Sequence, residues 1–242
     1  MMADAPVPEI PETGPETDPE TGPKTGPKTR LAGARRRVKR ESPLVRRKDL
    51  LDATVSCLAR LGPRGTTGRE ICRQAGVSHG LLRHYFRNPD NLLFETYEQL
   101  CEDMLAHVEA AIAPFEGDPW GALHAFFVAV FSDDWASGDI IGAWMVFWQQ
   151  VRTRDDFAIV STAFNMRQRA LMERIVSRLP PPAGPHPSGP QPSGHLPMAD
   201  AIAILSAVLD GLWIEYYLSD RRTPHDRCIA LCDQAARRLF AA

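Results

Sequence analysis

Apolar residues recur at three- and four-residue steps along most of the chain, and no segment alternates apolar with polar residues convincingly. That period marks one face of an α-helix, not a strand. The first such run spans Leu44 to Leu61, with Leu50, Leu51, Thr54, Leu58 and Leu61 on one side, and Gly62-Pro63 stops it. Thr67-Gly68-Arg69-Glu70 has the form of a capping box. In that device the threonine hydroxyl accepts from the glutamate amide and the carboxylate reaches back. It opens a short second helix ending near Gln74, and Gly76 is placed to take a left-handed turn. Ser78 caps a third short helix reaching Phe86. Asn88-Pro89 breaks that helix, and Asp90 or Asn91 caps a long fourth one to about Ala113. Later patterns predict helices over 119–133, 140–151, 155–179, 197–218 and 224–240. The expected fold class is all-α.

Two stretches fall outside this periodicity. Residues 1–29 contain seven of the 21 prolines and run through PETGPETDPETGPKTGPKT, a four-residue repeat almost free of apolar side chains. Such a segment buries too little surface to offset its chain entropy, so it is expected to be disordered. Residues 180–197 hold eight more prolines and read as an extended loop. The division expected is 1–43 as tail and arm, 44–92 as a small head, and 93–242 as a body interrupted by the 180–197 loop.

Charge changes the picture. The formal net charge is only -2, yet residues 30–48 hold nine Lys or Arg against the single acid Glu41. Arg35, Arg36, Arg37, Lys39 and Arg40 form a basic arm just ahead of the first helix. Such asymmetry suggests contact with a polyanion, although a basic run can also be merely solvated. If the arm reaches DNA, each phosphate contact steepens the salt dependence by about 0.9 in log K per log salt. The five cysteines include no CxxC pair, which suits reduced core residues and a cytoplasmic protein. No apolar run approaches the roughly 18 residues that span a bilayer, so no membrane partner is expected.

Two short helices joined by a glycine turn and braced by a longer one have the geometry of a helix-turn-helix DNA reader, which a generic helical hairpin shares. The residues add to that. TTGREICRQAGVSHGLLRHYFRNPDNLL resembles the DNA-binding segment of the TetR family. GAWMVFWQQVRTRDDF, NMRQRALMERIVSRL and LDGLWIEYYLSDRRT resemble the C-terminal domain of its BetI-type branch, which comprises choline-responsive repressors of glycine-betaine synthesis. The resemblance covers about residues 44–179 and 196–240. It implies a three-helix head, a six-helix effector-binding and dimerisation body, a homodimer, and a palindromic double-stranded DNA operator. The sequence departs from the family at Gly68, where an apolar residue is usual. A glycine there should weaken the second helix by about 1 kcal/mol. Pro89-Asp90 replaces an Asp-Lys pair, which removes a family phosphate contact that Arg87 is placed to supply.

Ser78, His79 and Gly80 begin the third helix, whose amides suit a phosphate. His79 and Arg83 lie one helical turn apart and can face base edges, arginine being the usual reader of guanine. By resemblance, Thr67, His84 and Tyr85 contact phosphates, although Tyr85 can also be spent mostly on the core. In the body, Phe127, Trp144, Phe147, Trp148, Trp213 and Tyr217 supply aromatic stripes with Asp210 and Glu215 nearby. Such stripes serve equally as plain core. Aromatic faces with a carboxylate are also what a quaternary ammonium needs, and a choline-like effector fits the resemblance, as would another small cationic or aromatic one. Asp210 is read as a helix-packing residue. Ala203, Ala207 and Gly211, with a second stripe at Ile229, Cys232, Ala236 and Leu239, suggest the dimer interface. No catalytic triad, phosphate loop or metal-ligand spacing is present, so no enzyme, cofactor or metal is expected. His79 and His84 are five residues apart and share no face for chelation. A small-molecule binder with a vestigial DNA head is the rival, favoured by Gly68 and Pro89, and repressor and activator are not separated by sequence.

Overall fold

The computed structural model describes residues 43–180, 196–219 and 224–240. The repetitive tail, the arm at 35–40 and most of the 180–197 loop lie outside them. Among the described residues all regular structure is helical. The order is α1 (Pro43–Gly65), α2 (Gly68–Ala75), α3 (His79–Tyr85), α4 (Pro89–Ile112), α5 (Pro119–Val130), α6 (Gly138–Val151), α7 (Asp155–Val176), α8 (Met198–Leu218) and α9 (His225–Phe240).

The local signals explain most boundaries. Gly62 takes φ 65° and breaks α1 internally, leaving one short turn through Gly65. The Thr66 hydroxyl donates to the carbonyl of Gly62 at 2.8 Å and closes that turn. Gly76 adopts φ 64°, ψ 30° after α2, the left-handed cap a glycine supplies without strain. The cap of α4 is Asn88, not Asp90 or Asn91: its side-chain oxygen accepts from the Asn91 amide at 2.7 Å. Pro89 then takes the first helical position, where its missing N–H is no loss. α6 starts two residues earlier than the apolar pattern suggests, capped by Ser137. α5 and α7 end three residues short of their expected limits.

Packing forms two cores. Leu50, Leu51, Ala53, Cys57, Ile71, Cys72, Leu82, Phe86 and Leu92 make the smaller one, where α1, α2 and α3 meet the start of α4. The larger one runs from Val55 and Leu58 of α1 through α4–α9. α1 thus contributes to both. It also packs along α6 very closely, since a methyl on Gly142 would lie 3.1 Å from the Ala59 backbone.

The expected dimer stripes divide. Ala203, Ala207 and Gly211 on α8 are exposed, alongside Ile204 and Leu218. On α9, by contrast, Cys232 and Ala236 are buried in the chain's own core together with Cys228. That stripe is spent inside the protomer, so the α9 part of the expected interface is corrected. α8 is also long and apolar enough by composition to cross a membrane, at a mean hydropathy of 1.5. The apolar stretch carries Asp210 and Glu215, and part of it is buried inside the chain's own core.

Candidate nucleic-acid interface and effector pocket

The head carries α3 on its surface. Leu82 and Phe86 sink into the small core, while His79, Arg83, His84 and Arg87 are exposed and Tyr85 is half-buried. The Ser78 hydroxyl oxygen accepts from the Leu81 amide at 3.2 Å, and the Thr67 hydroxyl oxygen accepts from the Glu70 amide at 3.3 Å. Both hydroxyl protons stay available at exposed helix starts. Only half of the expected capping box forms. Glu70 is held by the Arg73 guanidinium three residues on, through Nε at 3.0 Å and a second contact. That hydrogen bond holds the Glu70 carboxyl below its usual range.

His79 is less free than its exposure suggests. Its Nδ1 lies 3.8 Å from the Cys72 sulfur, and its ring fills the space beside Gly68. A methyl on Gly68 would sit 2.9 Å from the His79 Cε1. The glycine that weakens α2 therefore makes room for a recognition-helix side chain. Gly68→Ala should restore helix propensity and leave the melting temperature unchanged or higher, because the imidazole can swing away. DNA affinity should fall at the same time. A melting curve and a binding isotherm on the one variant check this; unchanged binding would show that the His79 placement is idle.

The body holds a cavity, open to solvent, between α4, α6, α7 and α8. Three of the expected residues line it: Trp144, Trp148 and Trp213. Phe127 and Phe147 are fully buried outside its wall, and Tyr217, half-buried, is not part of it either. In their place stand Tyr97 and Met104 of α4, Val130 at the end of α5, and Ser161, Phe164, Asn165 and Gln168 of α7. The α7 residues recur at steps of three, one and three, which sets them on one face of that helix. Trp144 packs edge-on to Tyr97 at 5.6 Å between centroids and to Trp213 at 6.4 Å, and tilts against Phe164 at 5.4 Å.

Asp210 also lines the cavity, which corrects its reading as a packing residue. Its side chain keeps a solvent-exposed edge, but the surrounding protein raises its carboxyl pKa against a lowering by Arg169. Tyr97 is fully buried, and desolvation pushes its phenol well up, so it stays protonated.

Residues 50–96 match the bacterial regulatory proteins of the tetR family, and residues 119–241 match the C-terminal domain of BetI-type transcriptional repressors. The chain belongs to the TetR family. Among its relatives, the HTH-type transcriptional regulator BetI of Burkholderia mallei strain NCTC 10229 is 26% identical over 200 residues, covering 81% of this chain and 94% of that protein. The BetI of Paraburkholderia phymatum is 28% identical over 178 residues, covering 72% and 83%. A transcriptional regulator from Pseudomonas aeruginosa PAO1 superposes with a TM-score of 0.65 at 28% identity, over 84% of this chain and 94% of that one. The multidrug binding protein EbrR, complexed with malachite green, shares the fold at TM-score 0.56 and 20% identity, over 81% and 99%. The protein is thus a TetR-type transcriptional regulator with a helix-turn-helix DNA-binding head and a BetI-type body. The two departures that favoured a vestigial head are accommodated in it: Gly68 seats His79, and Pro89 opens α4.

Proposed function

We propose that this regulator is a homodimeric, effector-released repressor that binds a palindromic operator in the cytoplasm. Thr67, Ser78, Gly80, His84, Tyr85 and Arg87 contact phosphates in this reading, and Arg83, with His79 held beside it, reads bases. The observation that carries the reading is the sharing of helices. The core that fixes the angle of α3 is built on α1, and α1 packs tightly along α6 through Ala59 and Gly142. α6 in turn carries Trp144 and Trp148 of the cavity. A ligand that moves α6 therefore has a direct mechanical route to the DNA head.

The exposed small residues of α8 support a two-fold pairing, which would set the two recognition helices about one DNA turn apart. The effector is a compact cation of choline type. Trp144, Trp148, Phe164 and Trp213 line the cavity with aromatic rings, and Asp210 is the one carboxylate among the described residues of its wall. The effector acts only by binding the released conformation better than the DNA-bound one. A gel shift on DNA from upstream of the chain's own gene tests this. The expected result is a retarded complex that millimolar choline weakens; no retardation at low salt would leave a small-molecule binder with an idle head.

A further inference from the structure

Among the described residues nothing covers the outer face of α7. Ile159 and Met166 are 69% and 67% exposed, unusually high for large apolar side chains in the middle of an ordered helix. Ile159, Ala163, Met166 and Ala170 are all exposed and recur at steps of four, three and four, the spacing of a seam between two helices. Thr162 lies in the same shallow groove. Its hydroxyl donates to the Ala158 carbonyl at 2.8 Å, so it brings no unpaired polar group to the stripe. Single apolar residues scattered on a surface need no explanation, whereas a contiguous stripe marks a contact.

The charges beside the stripe say what fits it. Asp155 opens α7 and Arg169 follows two heptads later, with Thr162 midway, so the three share one flank of the helix. Asp155 and Arg169 are exposed, and neither makes an ion pair with a described residue. Their neighbours are already engaged: Asp156 is held by Arg154, and Arg167 by Glu102. A second α7 laid antiparallel on the first, each Ile159 opposite the other copy's Met166, brings each Asp155 beside the other copy's Arg169. Parallel pairing would instead set like charges against each other. A surface that complements itself under such a turn is what a two-fold contact between identical chains requires. Ala163 and Ala170 are small enough to let the two helices approach closely.

We propose that the outer face of α7 is a homotypic contact, on which a second copy of this chain docks its own α7 antiparallel. The contact is separate from the pairing through α8. One helix face against another is a small interface, below the size of a stable dimer, so the association is weak and depends on concentration. Where the regulator is already a homodimer, as in the reading above, the α7 contact joins one dimer to the next and helps them occupy neighbouring DNA sites together. That consequence alone rests on the homodimer reading; the contact itself does not.

Sedimentation equilibrium of the full chain, from low micromolar to hundreds of micromolar, measures the association. The mass should double as concentration rises, and its low-concentration limit, monomer or dimer, reports the α8 pairing separately. Ile159→Ser with Met166→Ser should weaken the doubling at least tenfold and leave the melting temperature unchanged, since both side chains are on the surface. Asp155→Arg and Arg169→Asp should each weaken it severalfold, and the two together in one chain should restore it. Cysteine pairing reads the register, because the five native cysteines are buried. Under a mild oxidant, Ile159→Cys mixed with Met166→Cys should form a disulfide-linked pair. Ile159→Cys alone should not, since antiparallel copies hold those positions about 10 Å apart along the axis. A mass that does not rise with concentration would overturn the proposal, as would a rise that survives the double serine variant. Linkage of Ile159→Cys to itself, or a charge-swapped chain as weak as the single variants, would overturn the antiparallel contact.

Discussion

Arg83→Ala should cost about 1–3 kcal/mol of operator affinity at each half-site, or 5- to 150-fold, with no loss of fold stability. Arg83 stands on the exposed face of α3 and makes no ion pair with a described residue. Removing it opens no cavity and strands no partner. The helix beneath stays fixed by Leu82 and Phe86. The loss should be uneven across DNA sequences, because a base reader contributes specificity as well as affinity, whereas a phosphate contact weakens all sequences alike. Fluorescence anisotropy on a strong site and on single-base variants of it measures this. A uniform drop, with preference at every base pair retained, would demote Arg83 to a phosphate contact and leave the readout to His79.

Phe86→Ala should have the larger structural effect and a selective one. Phe86 is 1% exposed and closes the small core, and Arg47 stacks on its ring at 5.6 Å. Truncating a buried phenylalanine costs about 3–5 kcal/mol. The head core consists of few residues, whereas the body has a much larger core of its own. Local stability differs between such regions. The head should therefore melt first, giving a separate low-temperature phase by circular dichroism and no DNA binding at 25 °C, while choline still binds the body. Phe86→Leu should recover most of the loss. A single transition, with choline binding lost together with DNA binding, would show that head and body fold as one unit through α1.

The sequence foretold the head more fully than the pocket, for physical reasons. Helix starts, the Gly76 turn and the burial of Leu82 and Phe86 depend on local chemistry, which a reader of the chain can see. Capping residues lie crowded together at 88–91, so the sequence alone points to Asp90 or Asn91, and the structure selects Asn88. Gly68 looked like a plain defect because its benefit lies in His79, across a turn and on another helix. The periodic stripe on α9 was visible, but periodicity names an apolar face without naming what covers it, and its own chain does. In the pocket the tryptophans stood out by type. Ser161, Asn165 and Gln168 did not, since isolated polar residues on a helix read as surface until a fourth helix closes over them.

The central claim is that one ligand in the body and one DNA site at the head are in thermodynamic competition. Its most direct measurement is reciprocal: operator affinity with and without saturating choline, and choline affinity with and without saturating operator, on the full chain with a DNA fragment selected from a random pool. Linkage requires the two ratios to be equal, and the expected value is about 5- to 150-fold, a coupling of roughly 1–3 kcal/mol. Tight choline binding that leaves operator affinity unchanged would contradict the claim, because a ligand with equal affinity for both states shifts nothing.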